Sequence, residues 1–167
     1  AQAQAAWAAM RPAVAMRPDC DPLVRGLFDI AALEPAAVRY VGAKAAQLGR
    51  LTRIEGLATP GGFAIPFSAY LEHLDSAGLN SQIDAMLADA EFAADAGLRA
   101  QRLARLRQAV ASHPVQPDLL AALCGKLREL ATHRRFIFRS STNAEDLDGF
   151  NGAGLYESIE VPADPSP

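Results

Sequence analysis

Phe138-Arg139-Ser140-Ser141-Thr142-Asn143-Ala144-Glu145-Asp146-Leu147, with Gly149-Phe150-Asn151-Gly152-Ala153-Gly154 close behind, decides the reading of this chain. A short apolar strand runs into an arginine, adjacent hydroxyls, paired carboxylates and a glycine loop. That assembly suits a polyphosphate better than a core. A guanidinium matches phosphate oxygens in a fork, and glycines let backbone N–H groups converge on an anion with no Cβ in the way. Each part also has an ordinary explanation. Arg139, at the end of a strand read as buried, needs an anionic partner, which Glu145 or Asp146 would supply, and a glycine loop leading into a strand is a common hairpin turn.

A second cationic turn lies far upstream: Val41-Gly42-Ala43-Lys44-Ala45-Ala46-Gln47-Leu48. Lys44 follows a glycine near a helix start, a suitable place for a phosphate-binding ammonium. A solvated helical lysine is its ordinary alternative, and the phosphate-loop pattern G-x-x-x-x-G-K-[ST] is absent. Taken together, the two segments point to a nucleotide site.

Around these segments the chain reads as one α+β domain, helix-rich with a small mixed sheet. Residues 1–26 form an N-terminal arm or linker, 27–161 the domain, and 162–167 a tail. Leu27 to Ile30 reads as a short strand. Glu34-Pro35 opens a helix, proline being harmless in a first turn. Val38, Val41, Ala45, Leu48 and Leu51 continue it at helical spacing, unless Gly42 divides it. Thr59-Pro60-Gly61-Gly62 is a turn, Phe63-Ala64-Ile65 a buried strand, and Pro66 with Ser68 starts a helix through Leu74. Residues 81–112 are helical, with Gly97 as the expected break. Asp118 is expected to cap a helix through Ala131. Arg135 to Phe138 alternates as a strand does, and Tyr156 to Val161 forms another.

Bulk properties narrow the function classes. In 167 residues, 50% are apolar and 21% charged, which fits a packed domain rather than a disordered tail. The net charge of −3 gives no electrostatic reason for a nucleic-acid partner. Basic residues at 99–107 read as a solvated helix face. No apolar run approaches the ~18 residues needed to cross a bilayer. Cys20 and Cys124 follow no C-x-x-C pattern, Cys124 reading as a buried thiol, so the expected compartment is the cytoplasm.

These segments together resemble the ATP-binding domain of the phosphoenolpyruvate synthase and pyruvate phosphate dikinase family. Val41 to Leu48 looks like the G-G-K-x-x-x-L segment that opens that domain. Leu57-Ala58-Thr59-Pro60-Gly61-Gly62-Phe63-Ala64-Ile65 resembles its (V/T)-P-x-G-F-x-I turn and strand, and Phe138 to Leu147 its V-R-S-S-A-x-x-E-D-L segment. Gly152-Ala153-Gly154-Leu155-Tyr156-Glu157-Ser158 is similar to its glycine loop ending in an acid and a hydroxyl, in a form shared with glucan water dikinases. The segments keep their order from residue 41 to 161. Val41 replaces the family's first glycine and Ala45 a further common one, changes expected to tighten the turn.

The resemblance implies part of an ATP-grasp fold, with ATP and Mg²⁺ as cofactors. By position, Lys44 and Arg139 would contact the ATP phosphates, with Arg139 the catalytic candidate. Gly152 and Gly154 would lie on the glycine loop, with Gly154 offering backbone donors, and Ser158 would offer its hydroxyl. Glu157 matches an acid of unassigned role. Glu145 and Asp146 are expected to orient Arg139 or cap a following helix, so no metal ligand is assigned here. The implied partners are a second grasp half, carrying most Mg²⁺ ligands, and a phosphohistidine domain. The implied activity is phosphorylation of a histidine in another domain before transfer to a final acceptor, the fragment alone being inactive. His73, His113 and His133 match no phosphocarrier segment and read as surface or interhelical histidines. The competing expectation is a stand-alone, non-catalytic nucleotide-binding or regulatory module with the same fold.

Overall fold

A computed structural model describes residues 18–130, 135–144, 146–147, 150–151 and 156–162, with backbone alone at 146–147 and 150–151. Strand β1 (Phe28–Asp29) pairs antiparallel with β2 (Phe63–Ala64). Between them, a 3-10 turn at Pro35–Ala37 leads into α1 (Val38–Val41) and then α2 (Ala43–Leu51). The helix expected to open at Pro35 is thus divided at Gly42, whose φ of 84° and ψ of 170° lie outside the helical region. β-Carbons rarely tolerate that conformation, and glycine has none.

The core lies beneath this divided helix. Ile30, Leu33, Ala37, Val41, Ala45, Ala46 and Ala64 are buried together, with Phe28, Val38, Tyr40 and Leu48 packed against them. The rings of Phe28 and Tyr40 meet at 5.2 Å. Leu33 and Val41 are each 1% exposed, and burial of such a side chain contributes about 1.5–3 kcal/mol. Helix α2 approaches closely at Gly49, where a Cβ would stand 2.8 Å from the Ile30 carbonyl oxygen and 2.9 Å from the Leu33 Cβ.

Helices α3 (Phe67–Ser76), α4 (Asn80–Ala88), α5 (Ala90–Ala94), α6 (Ala96–Ser112) and α7 (Pro117–Glu129) follow. The breaks in the 81–112 segment fall at Asp89 and Asp95, not at the expected Gly97. Each aspartate caps the helix that follows it: Asp89 accepts from the N–H groups of Glu91 and Phe92, and Asp95 from that of Leu98. A short carboxylate competes for backbone donors and sets a new helix start, whereas one glycine in a first turn costs little. Helix α7 likewise starts at Pro117, with Asp118 in its first turn and no side-chain cap bond, so Asp118 is not the cap. Its expected end at Ala131 lies outside the described residues. Of the basic residues at 99–107, Arg105 and Arg107 are exposed as expected, whereas Arg99 and Arg102 are half-buried. Arg99 donates to the Phe92 and Ala93 carbonyls, and Arg102 pairs with Asp89 at 2.5 Å.

The C-terminal strands are β3 (Arg135–Arg139), β4 (Asp146–Leu147), β5 (Phe150–Asn151) and β6 (Ser158–Pro162). Among the described residues every ladder is two-stranded and antiparallel: β1 with β2, β3 with β6, and β4 with β5. The α+β class holds, but the expected mixed sheet is corrected. Parallel pairing needs a crossover between partners, while the β4–β5 reversal nested between β3 and β6 returns the chain antiparallel. The expected helix after Asp146 is corrected for the same reason, since Asp146 and Leu147 pair with Asn151 and Phe150. Among the described residues no helix is long and apolar enough to cross a membrane.

Candidate functional site

Gly42 is where the two motif segments meet. A Cβ there would overlap the Ser141 carbonyl group and the Thr142 nitrogen, so only glycine allows this approach. The Ala43 N–H donates to the Thr142 carbonyl at 3.0 Å, and the Ala45 N–H to Ser141 Oγ at 3.0 Å. Helix N-termini present N–H groups without intrahelical partners, and here the 141–142 segment accepts from two of them. Ser141 Oγ therefore serves as a tertiary cap for α2.

Lys44, the second residue of α2, is exposed. Its ammonium lies 5.9 Å from the centroid of the Tyr156 ring, at the outer limit of a cation–π contact. Arg139 pairs across the ladder with Ser158. Directly opposed residues of an antiparallel pair share one face, so the guanidinium and the hydroxyl leave the ribbon on the same side. Arg135, Ile137 and Glu160 belong to that face as well, and Phe136, Phe138, Ile159 and Val161 to the other. At the far end, Arg135 binds Glu160 at 2.7 Å, and this carboxylate raises the guanidinium pKa. The Arg139 side chain makes no hydrogen bond or ion pair with the described residues.

The expectation that Arg139 closes a buried strand is corrected: Arg139 is exposed, and Ile137 is 58% exposed. Alternation alone does not say whether a strand has both faces covered. Ser158 and Glu157 are also exposed. Gly152, Gly154, Glu145 and His133 lie outside the described residues, as does the side chain of Asp146. The structure thus joins Lys44 to Tyr156 and Arg139 to Ser158, with Tyr156 and Ser158 two residues apart. The α2 turn and the Ser141–Thr142 segment are bonded directly. Tyr156 and the capping role of Ser141 were not singled out from sequence; a tyrosine beside a glycine loop carries no signal until its ring is seen near a cation.

Val41 and Ala45, which replace glycines of the family pattern, are 1% and 8% exposed and belong to the core. They point away from the solvent that Lys44 faces. Ser140 Oγ is buried without a hydrogen-bond partner among the described residues. His73 and His113 are an interhelical pair with ring centroids 5.1 Å apart, His73 Nε2 lying 2.9 Å from the Val110 carbonyl. Cys124 is half-buried and Cys20 exposed, both as free thiols. A groove of about 230 Å³ lined by Arg25, Ser68, Glu72, His73 and Asp118 shares no residue with either motif segment. Among the described residues no three His, Cys, Asp or Glu side chains are grouped to hold a metal ion.

These segments fall within one match to a known family. Residues 38–160 match the family described as "Pyruvate phosphate dikinase, AMP/ATP-binding domain". The chain belongs to this family. A rifampicin phosphotransferase from a Streptomyces species is 31% identical over 134 residues, covering 80% of this chain and 15% of that protein. The phosphoenolpyruvate synthase of Escherichia coli (strain K12) is 33% identical over 128 residues, covering 73% of this chain and 16% of its own length. That of Pseudomonas aeruginosa (strain UCBPP-PA14) is 37% identical over 132 residues, with the same coverage. The chain spans about 15% of the length of the curated relatives it matches.

Proposed function

We propose that this chain is the N-terminal, ATP-binding part of a larger dikinase-type phosphotransferase with an ATP-grasp fold, acting in the cytoplasm. The observation that carries the reading is the docking of the Gly42–Ala45 turn onto Ser141–Thr142, which holds two exposed cationic residues on adjoining segments within one family-matched domain. Lys44 and Arg139 would bind the triphosphate, Lys44 as a point charge and Arg139 as a fork. Ser158, opposite Arg139, would add a hydroxyl donor, and Gly152 and Gly154 would add backbone N–H groups. The exposure of both cations fits an anionic ligand arriving from solvent.

Phosphoryl transfer rests on positioning and charge neutralisation. In this proposal the chain's residues hold and orient the phosphates, and Arg139 stabilises charge on the transferred group. Mg²⁺, when bound, would help neutralise phosphate charge, and its ligands would come mainly from a second grasp half. The phosphoryl group would pass to a histidine of a separate domain and then to a final acceptor. A stand-alone module is the weaker reading, because Val41 and Ala45, which replace glycines of the family pattern, fill core positions and leave the exposed cations in place.

The test is Arg139→Ala in the full-length protein. Phosphoryl transfer is expected to fall by about 100-fold or more with thermal stability unchanged, since the side chain is exposed. Unchanged turnover overturns the site. The 167-residue chain alone is expected to bind ATP weakly and to show no turnover.

A further inference from the structure

Residues 19–25 lie outside the 38–160 family match, yet they bond to both sides of the junction just described. The Asp21 N–H donates to the Arg39 carbonyl at 2.8 Å, and the Asp19 carboxylate receives Arg39 Nε at 2.8 Å. Asn143 Nδ2 then donates to the Asp19 backbone carbonyl at 2.7 Å, across 124 residues of sequence. The segment is tied down at its other end too. Ser68, 1% exposed on α3, donates its hydroxyl to the Val24 carbonyl at 2.5 Å, and Arg25 pairs with Glu72 of the same helix at 2.5 Å.

The Ser141–Asn143 loop is therefore gripped from two directions. On one side α2 donates the Ala43 and Ala45 N–H groups to Thr142 and Ser141. On the other, the 19–25 segment offers the Asp19 carbonyl to Asn143. The Asp19–Arg39 pair is exposed and by itself contributes little. The bond from Asn143 is exposed too, but it ties a loop whose other end carries Arg139. A segment that turns at Pro22–Leu23 and is anchored on α1 and α3 is a fixed reference for that loop, in the way a supporting shell holds a functional group.

We propose that residues 19–25 form a positioning strap for the nucleotide loop, with Asn143 as the positioning residue that reads it. The inference rests on the nucleotide reading above. Asn143 acts through the segment that carries Arg139, which it orients.

The test compares Asn143→Ala and Asn143→Asp with Arg139→Ala in the full-length protein. Amide hydrogen exchange and steady-state kinetics with ATP are both measured. Asn143→Asp is isosteric but cannot donate to the Asp19 carbonyl. Both Asn143 variants are expected to speed exchange of the Ala43 and Ala45 amides about tenfold while α3 amides stay protected. Both are also expected to raise the KM for ATP about fivefold, with kcat changed less than about twofold. Unchanged exchange at Ala43 and Ala45 overturns the strap, as does an equal rise in exchange throughout α3, which would mark general loosening. Faster local exchange with an unaltered KM overturns the claim that the strap positions the nucleotide loop, provided Arg139→Ala impairs ATP use. If Arg139→Ala leaves ATP use intact, the nucleotide reading fails instead, and the exchange data alone decide whether the strap holds the loop.

Discussion

Ser141 Oγ accepts a hydrogen bond from the backbone N–H of Ala45 at 3.0 Å, across 96 residues of sequence. The bond makes one helix start depend on a loop near the other end of the chain. Ser141→Ala is expected to destabilise the domain by about 1 kcal/mol, the usual loss when a helix donor loses its cap. Ser141→Thr, which keeps the hydroxyl, should lose less. Denaturant midpoints of the two variants check this, and equal midpoints for Ala and the native residue would remove the capping role.

Gly42 faces a harsher constraint. Its φ is 84°, and an added Cβ would overlap the Ser141 carbonyl. Gly42→Ala is expected to cost about 3 kcal/mol or more, adding backbone strain to steric displacement of the loop. Chemical denaturation measures it. A loss below about 1 kcal/mol would mean that α2 and the 141–142 segment do not approach as closely as described.

Tyr156 offers its ring to the Lys44 ammonium at 5.9 Å. At an exposed site such a contact contributes about 0.5–1 kcal/mol. Under the nucleotide reading, Tyr156→Leu should weaken ATP binding by about two- to fivefold, and Tyr156→Phe should change it little. Fluorescent-nucleotide titration of the full-length protein separates the two. A Phe variant as weak as Leu would shift the role from the ring face to the hydroxyl.

Asp89 and Asp95 titrate below the ordinary aspartate value of 3.8. For Asp89 the chief cause is the hydrogen bond from Arg102, followed by the backbone N–H of Glu91. For Asp95 it is the backbone N–H of Leu98. A depressed folded-state pKa adds stability that is present above the unfolded value and is lost as pH falls through the folded one. Acidification below about pH 3.8 is therefore expected to loosen the α4–α5–α6 region, and Asp95→Asn, a neutral cap, should flatten its share of that response. Circular dichroism against pH follows the effect. Identical acid transitions for the native chain and a chain carrying both Asp89→Asn and Asp95→Asn would refute it.

Much of this was legible in the residues. Helical spacing from Val38 to Leu51, the proline at position 35 and the glycine at 42 located the divided helix. The alternation of residues 135–138 located β3. Other features were hidden for identifiable reasons. Asp89 and Asp95 outcompeted Gly97 as helix boundaries, because a cap depends on where a short carboxylate meets backbone donors. The exposure of Arg139 was missed because alternation reports a strand's faces but not what covers them.

Sequence alone settled which residue types could meet an anion, and in what order along the chain, because local propensity and side-chain chemistry act over a few residues. Only the tertiary structure decided that Gly42 rests against Ser141, that Arg139 stands opposite Ser158, and that Asp19 holds Asn143. Those relationships join residues far apart in the chain. They exist because burial of the Ile30–Ala46 core fixes α1 and α2 in place, and backbone donors left unmatched at the start of α2 then find their partners in the returning loop.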